Sequence, residues 1–402
     1  MKGKIFMQSL CIHHARILPM EGGEVACGFV LVQQGKIAAF GPMDEMPDVS
    51  DAIQLDAAGG VITPGLIDVH SHLGLYEDSL GFEGADGNED TDPVTPHLRV
   101  IDGINPMERA FGESLAAGVT TVVVSPGSAN PIGGQLAAVR TWGRRIDDMI
   151  LKAPIGMKFA FGENPKSVYH DKEETPVTRM ATAALIRENL RKAQEYHDRK
   201  QKALEHEEDD LPDFDAKMEA LEAVITGELP AHIHAHRADD MFTALRICKE
   251  FGVTPILVHG TEGHLVADLL AGEGVPVISG PFMTDRSKPE LHNLTEASPG
   301  LLAKGGVPVA ITTDHPEIPV KFLRLAAAVA VQAGMDENEA LRAITINGAK
   351  IVGLDDRIGS IAPGKDADLV VWSGHPLDFR SHVQTVVSAG QIAYRRKNDE
   401  NH

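Results

Sequence analysis

The stretch GGVITPGLIDVHSH occupies residues 59–72 and gives the clearest indication of the fold. Its apolar run at 66–69 predicts a buried strand, and His70 and His72 follow at the end of that strand. Side chains at positions i and i+2 of a strand lie on the same side, so both imidazoles can reach one metal ion. The stretch therefore predicts a pair of metal ligands at the carboxyl end of a strand.

Histidine or aspartate also stands at the end of three further predicted strands, at 231–235, 254–258 and 309–312. These residues are His232, His234, His236, His259, Asp314 and His315. Because the carboxyl ends of barrel strands converge on one mouth, we expect the side chains to form one site. Imidazoles and a carboxylate, without cysteine, suit a catalytic Zn²⁺, with Mn²⁺ or Fe²⁺ as the alternative ions.

The order of predicted elements indicates the fold class. Strand-like apolar runs alternate with helical segments between residues 64 and 354, and the strands are 66–69, 120–124, 135–140, 155–161, 231–235, 254–258, 275–278 and 309–312. Repeated strand–helix units predict an α/β protein with a parallel sheet, and eight of them predict a (β/α)₈ TIM-like barrel. A doubly wound open sheet is the rival, but no GxGxxG loop follows an early strand.

Two regions depart from the strand–helix alternation. Both ends of the chain, residues 1–60 and the last fifty, carry short apolar runs broken by glycine, which is typical of β structure. The segment 171–229 is highly charged and predicted to be helical. We expect an extended helical insert of the barrel with one solvated face, and a lid or a subunit contact is the alternative.

Composition excludes several classes of protein. The 402 residues include 37 Lys and Arg against 58 Asp and Glu, a formal charge of −21, which argues against nucleic-acid binding. No apolar run reaches the roughly 18 residues needed to cross a membrane, and the N-terminus lacks a signal-peptide pattern. Three cysteines are too few for a disulfide framework. A soluble, cytoplasmic protein without nucleic-acid or membrane partners is expected.

Three motifs resemble the amidohydrolase superfamily of metal-dependent hydrolases, and most of all its imidazolonepropionase-like branch. They are GGVITPGLIDVHSH at 59–72, AAGVTTVVV at 116–124 and GLDDRIGSIAPGKDADLVVW at 353–372. The resemblance implies a hydrolase barrel at 64–354, with the insert 171–229. It also implies a small β-sandwich domain built from residues 1–63 and 355–402. Members often form dimers or larger assemblies, so a homo-oligomer is expected.

The resemblance also implies a set of metal ligands. These are His70, His72, His234, His259 and Asp314, with His236 as the alternative to His234. For a ligand that bridges two metals, Glu163 at the end of the fourth strand is preferred, because its carboxylate needs no modification. Carboxylated Lys158 is the alternative, and a one-metal site with neither residue is a third possibility.

The ligand set predicts the chemistry. A bound metal lowers the pKa of water toward about 7, and Asp314 takes the water's proton and later delivers it to the leaving nitrogen. The metal, with His259, polarises the carbonyl oxygen. The expected reaction is hydrolysis of a C–N bond in a small-molecule amide, cyclic amide or dipeptide. A deaminase that releases ammonia and a catalytically inactive scaffold of the same fold are the alternatives.

Three residues are candidate substrate contacts. Arg237 could clamp a substrate carboxylate, although pairing with Asp239 or Asp240 is equally reasonable. His236 could contact the substrate if His234 is the ligand. Asn130 lies in the glycine-rich segment PGSANPIGGQ, whose backbone could approach a ligand closely.

Overall fold

The structure is a computed structural model that describes residues 8–78, 80–205 and 210–397. It contains two eight-stranded sheets and a set of covering helices. The strands are β1 Leu10–Ile17, β2 Val25–Gln33, β3 Lys36–Pro42, β4 Ile53–Asp56, β5 Val61–Pro64, β6 Leu66–Ser71, β7 Val119–Val124, β8 Ile132–Arg140, β9 Ile150–Ala160, β10 Ala231–Ala235, β11 Pro255–His259, β12 Val277–Ser279, β13 Val309–Ile311, β14 Leu369–Trp372, β15 Val383–Ser388 and β16 Gln391–Arg395.

The α-helices connect and cover these strands. They are α1 Arg109–Ala116, α2 Ile146–Met149, α3 Glu163–Asp171, α4 Arg179–Glu205, α5 Ala216–Ile225, α6 Ala238–Phe251, α7 Ala267–Glu273, α8 Ser298–Lys304, α9 Leu323–Gln332, α10 Glu337–Ala343 and α11 Ile346–Ile351. Within the described ranges, no helix is both long and apolar enough to cross a membrane.

Strands β6 to β13 form a nearly closed barrel in the order of the sequence. Each of the eight predicted strand ranges overlaps one of them, so the mixed α/β class and the eight-stranded barrel are confirmed. One strand differs from the prediction, since β8 runs antiparallel to both β7 and β9. The connections at 125–131 and 141–149 explain this, because a parallel crossover needs about a dozen residues or more.

The seam of the barrel lies between β6 and β13, and the side chain of Asp68 bridges it. Its Oδ1 accepts a hydrogen bond from Thr312 Oγ1 at 2.5 Å, and its Oδ2 accepts one from Thr313 Oγ1 at 2.5 Å. The Thr313 backbone N–H also donates to Oδ2, at 3.2 Å. Asp68 is completely buried. A carboxylate thus joins the first strand of the barrel to the end of the last.

Both ends of the chain contribute to the second sheet, in the order β16-β15-β14-β5-β1-β2-β3, with β4 paired to β1. Strand β14 pairs antiparallel with β5, which joins the C-terminal strands to the N-terminal ones. The prediction that both ends form β structure is confirmed. That this sheet makes a separate β-sandwich domain, with boundaries at 63 and 355, stays a prediction.

Trp372 of β14 packs at the junction between the two sheets. It is fully buried, and its indole N–H donates to Thr63 Oγ1 at 2.9 Å. One apolar cluster joins it to the barrel residues Leu66 and Val119. Gly118 has φ +89°, and a Cβ there would lie 2.9 Å from the Trp372 ring, so glycine meets both the backbone and the packing requirement.

The charged insert forms part of the outer layer of the barrel. Ile186 and Leu190 of α4 and Leu221 of α5 pack in one cluster with residues of β9 to β11 and of α6. The remaining face of α4 is mostly charged or polar, as the charge pattern predicts, although Met180 and Leu204 are exposed near its two ends. The Asp215 side chain accepts from the backbone N–H groups of residues 217 and 218 and so begins α5. The part of the predicted insert at 206–209 lies outside the described residues.

Replacement of Trp372 by alanine tests the junction. We expect Trp372→Ala to lower the free energy of unfolding by about 3–5 kcal/mol, because a fully buried ring is lost. Trp142→Ala is the matched control, since Trp142 is only half-buried and should cost less. Urea unfolding followed by circular dichroism measures both. Equal losses in the two variants would contradict the assignment of Trp372 to the junction.

Candidate metal centre

The carboxyl ends of β6, β10, β11 and β13 bring five histidines and one aspartate together at the barrel mouth. Each histidine lies within one residue of the end of its strand, and Asp314 follows three residues after Ile311, where β13 ends. The six side chains are His70, His72, His234, His236, His259 and Asp314. The histidines are all at least nine-tenths buried. The structure thus brings together the histidines and the aspartate that the sequence predicted as ligands.

Asp314 lies at the centre of one group. Its Oδ1 is 3.4 Å from His70 Nε2 and 3.3 Å from His72 Nε2. His70, His259 and Asp314 each offer one ligand atom, and these atoms lie within 4.8 Å of one another. This spacing is compatible with a single ion held between them.

His234, His236 and His259 form a second group, again with ligand atoms within 4.8 Å of one another. The ring centroids of these three side chains are 4.5–4.7 Å apart. His259 belongs to both groups. The mouth therefore offers two overlapping groups of ligand atoms that fit a divalent metal.

Outer hydrogen bonds fix the orientation of four of the imidazoles through Nδ1. His72 and His259 contact the carbonyl oxygens of Ser125 and Gly280, both at 2.7 Å. A carbonyl only accepts, so in these two rings Nδ1 carries the proton and Nε2 is left as a ligand. Hydroxyl groups bond Nδ1 of the other two rings, and the pairs are His236 with Thr261 at 2.8 Å and His234 with Ser128 at 2.9 Å.

Burial favours the neutral form of His70, His234, His236 and His259, which is the form that binds metal. Burial, together with the charge of Lys158, lowers the pKa of His70 to about 3. Burial also lowers the pKa of His236 to about 4, and it lowers the pKa of His234 and His259 well below their usual value. Burial alone would raise the pKa of Asp314, but the surrounding imidazoles outweigh it and hold that pKa well below its usual range.

The two candidates for a bridging ligand occupy different surroundings. Lys158 is fully buried in β9, and its Nζ lies 3.3 Å from His70 Nε2. Burial lowers the pKa of Lys158 to about 8. Glu163 begins α3, outside both ligand groups, and its Oε2 accepts a long hydrogen bond of 3.4 Å from the backbone N–H of Glu290. The structure thus brings Lys158, and not the preferred Glu163, to the ligands.

A cavity of about 480 Å³ opens above the cluster and has a mainly polar wall. Its lining includes His72, Tyr76, Ser128, Asn164, His236, Lys288 and Asp314. Lys288 supplies a cation to this wall, and its Nζ donates to Asn164 Oδ1 at 2.8 Å. Sequence reasoning missed Lys288, because it lies in a long loop after β12 and follows no strand end.

The predicted substrate contacts have different surroundings in the structure. His236 lines the cavity, as a substrate contact requires. Arg237 instead makes two 2.9 Å hydrogen bonds to the Asp239 carboxylate and lies outside the described cavity wall. Asn130 donates to Thr95 Oγ1 and to a backbone carbonyl, and it accepts from Tyr169. Its amide therefore holds the protein's own loops together.

Sequence reasoning also missed two buried carboxylates, Asp68 and Glu290. Asp68 could have been found, because it lies two residues before His70 and so faces the same side of β6. Glu290 gave no signal, since it lies in the short 3-10 turn Pro289–Leu291, well beyond the end of β12. Burial of a carboxylate in such a turn depends on tertiary contacts.

The sequence profile of the amidohydrolase family matches residues 61–394. The chain belongs to the amidohydrolase family. It is therefore a metal-dependent hydrolase that acts on carbon–nitrogen bonds, and the resemblance inferred from the motifs is confirmed. A solved structure of an amidohydrolase from Thermotoga maritima MSB8 is 44% identical, with a TM-score of 0.93, and the match covers 96% of this chain and 100% of that one.

Two curated relatives extend the comparison. The imidazolonepropionase of Paracoccus denitrificans is 25% identical over 405 residues, which cover 92% of this chain and 94% of the relative. The amidohydrolase tasK of Hapsidospora irregularis is 30% identical over 380 residues, which cover 87% of this chain. The chain spans only 38% of the length of that second relative.

Asp68 offers a test of how the metal centre is held. We expect Asp68→Ala to weaken Zn²⁺ binding about 10–100-fold. The reason is that Thr312 and Thr313, which precede Asp314, lose the carboxylate that fixes their position relative to His70. Asp366→Ala is the matched control, since Asp366 is also buried but bonds Arg140 and Arg357 near the other end of the barrel. Competition with a chromophoric chelator measures affinity. Equal affinity in the two variants would show that Asp68 does not position the ligands.

Proposed function

We propose that this enzyme hydrolyses a cyclic amide or a similar small amide that carries a carboxylate. One observation carries the proposal, namely that the His and Asp cluster forms the floor of a polar cavity with Lys288 in its wall. The amide would lie against the cluster and the carboxylate against Lys288. The name of the imidazolonepropionase relatives, which denotes an imidazolone joined to a propionate, supports such a substrate.

The residues present fit a divalent metal, because buried imidazoles surround a carboxylate whose Oδ1 has no hydrogen-bond partner in the described chain, and a hydrogen bond at Nδ1 orients four of these rings. We assign one position to His70, His72 and Asp314 and a second to His234 and His259, with zinc as the ion and Mn²⁺ or Fe²⁺ as alternatives. When bound, the metal acts as a Lewis acid and makes water a nucleophile at neutral pH.

Asp314 is the proposed general base and general acid. Its side chain keeps 13% of its surface exposed at the cavity, so it can reach both the attacking water and the substrate. The carboxylate accepts the proton of the water and delivers it to the leaving nitrogen, which converts the amide to a carboxylate and an amine. His259 donates to Gly280 through Nδ1 and belongs to both groups, so we propose it as a ligand.

We favour carboxylated Lys158 over Glu163 as the bridge. Its amine lies beside His70 in a fully buried position, and the lowered pKa increases the neutral fraction that can react with carbon dioxide. The reaction forms an N–C bond and releases one proton, so the product is a carbamate with a negative charge next to the cluster.

We further propose that the enzyme is cytoplasmic and assembles into a homo-oligomer, and that the strands of both chain ends form a β-sandwich beside the barrel. Exposed apolar side chains such as Leu265, Leu269 and Leu301 support self-association, because they lie on the neighbouring elements that cover one side of the barrel.

Two variants test the assignment of the centre. We expect His70→Ala to lose metal and activity together, because a ligand is removed. Asp314→Asn should lower kcat by about 10²–10⁴-fold, since an amide cannot accept the proton. Metal analysis and a screen of cyclic amides, N-acyl amino acids and dipeptides measure both. Unchanged metal in His70→Ala would refute the ligand set, and ammonia as the first product would instead identify a deaminase.

Variants of Lys288 and Arg237 test which of these two cationic side chains binds the substrate carboxylate. We expect Lys288→Met to raise KM about 10-fold or more for a carboxylate-bearing substrate, because one charged hydrogen bond contributes about 1.5–3 kcal/mol. The amide analogue of the same substrate, which lacks the charge, should show little change. If Arg237→Met raises KM in this way and Lys288→Met does not, the sequence-based assignment of Arg237 is right.

A further inference from the structure

Glu290 is a buried carboxylate with one oxygen in use and one without a hydrogen bond. Its residue surface is 2% exposed. Oε2 accepts a hydrogen bond from the backbone N–H of Glu163 at 3.0 Å, at the first residue of α3. Oε1 is buried and has no hydrogen-bond partner in the described chain. The contact at Oε2 explains the position of the side chain but leaves the direction of Oε1 unexplained.

Oε1 faces two imidazole nitrogens. It lies 3.7 Å from His236 Nε2 and 3.9 Å from His234 Nε2. Both distances are too long for a hydrogen bond. Both distances are compatible, however, with Oε1 and the imidazole nitrogen being ligands of the same zinc ion. Two atoms that are each about 2.1 Å from a zinc ion lie no more than about 4.2 Å apart.

The side chains of His234 and His236 resemble that of Glu290 in one respect. One polar atom of each has an outer hydrogen bond, and the other atom faces the region between the three side chains. Each uses Nδ1 for an outer hydrogen bond, to Ser128 or to Thr261, and His234 Nε2 is buried without a partner. Three ligand atoms of the types that zinc prefers therefore lie close to one another, with Oε1 within 3.9 Å of both nitrogens.

A buried carboxylate without a compensating charge is costly, so the charges around Glu290 matter. Lys288 Nζ lies 3.8 Å from Oε1, but its side chain is 38% exposed and it donates to Asn164. The imidazoles are neutral. A bound cation would place a positive charge closer to Oε1 than the Lys288 ammonium does.

We propose that Glu290 and His236 join His234 and His259 as ligands of the metal at the second position of the centre. This inference rests on the proposed metal-dependent function. The two glutamates are reciprocally bonded, since each backbone N–H donates to the other's carboxylate, so Glu163 holds Glu290 in place.

Metal stoichiometry of the full-length chain tests the assignment. The protein is stripped with chelator, reloaded with Zn²⁺, passed through gel filtration and analysed by mass spectrometry. We expect about two Zn²⁺ per chain in the wild type and about one in Glu290→Gln. Affinity for the weaker ion should fall at least about 10-fold, the lower limit seen when even an outer partner of a ligand is removed. The visible spectrum of the Co²⁺-loaded chain should change with the loss.

Glu262→Gln is the matched control. Glu262 also lies near the mouth, but both of its oxygens accept hydrogen bonds, from the Ala238 backbone N–H and from Asn293. Its Zn²⁺ content should match the wild type. Circular dichroism of the metal-free variants checks folding, and if Glu290→Gln does not fold, Glu290→Asp replaces it, because the shorter carboxylate should also weaken binding at the second position.

Retention of wild-type Zn²⁺ content and affinity in the folded Glu290 variant would overturn the proposal. Failure of the proposed function would look different. A chain that binds two Zn²⁺ and loses one in Glu290→Gln, yet hydrolyses none of the amides, would refute the substrate assignment and leave the role of Glu290 intact.

Discussion

The carboxylate of Asp68 is the contact on which the barrel and its mouth both depend. The hydrogen-bonded order of the strands ends at β6 on one side and at β13 on the other, and Asp68 joins the two through Thr312 and Thr313. His70 is two residues beyond Asp68, and Asp314 directly follows Thr313. The same bonds that close the barrel therefore also set the separation between two of the candidate ligands.

The antiparallel direction of β8 also helps to position the candidate ligands. A parallel strand would have required a helical crossover after β7, whereas the short segment 125–131 stays at the mouth. From there the Ser125 carbonyl and the Ser128 hydroxyl reach His72 and His234. At the other end of β8, Arg140 bonds Asp366 and Asp368 next to the terminal sheet. One antiparallel strand thus links the metal centre to the strands formed by the chain ends.

Much of this arrangement could be predicted from local sequence. The strands of the barrel are short apolar runs, and the pattern predicted that His70, His72, His259 and Asp314 meet at their ends. The resemblance to the family implied their individual roles as ligands. The direction of β8 could not be predicted in the same way, because an apolar run does not indicate whether its strand is parallel or antiparallel to the neighbouring strands. It is decided by the length of the flanking connections.

The surroundings of the site were harder to predict, because they depend on contacts between distant segments. Arg237 and Asn130 have suitable chemistry, but Asp239 and Tyr169 bond them. Glu290 becomes buried only when the loop after β12 packs against the start of α3. Lys158 shows a mixed case, since its strand was predicted while its distance from His70 depends on how β6 and β9 face each other across the barrel.

The turn that carries Glu290 also carries Lys288 two residues earlier, and this spacing has a thermodynamic consequence. The Lys288 ammonium lies 3.8 Å from Glu290 Oε1, so the charges of the two side chains are coupled. A metal bound by Glu290 would weaken this attraction and leave the ammonium available to an anionic group at the wall. By linkage, occupancy of the floor and capture of an anionic group at the wall favour one another.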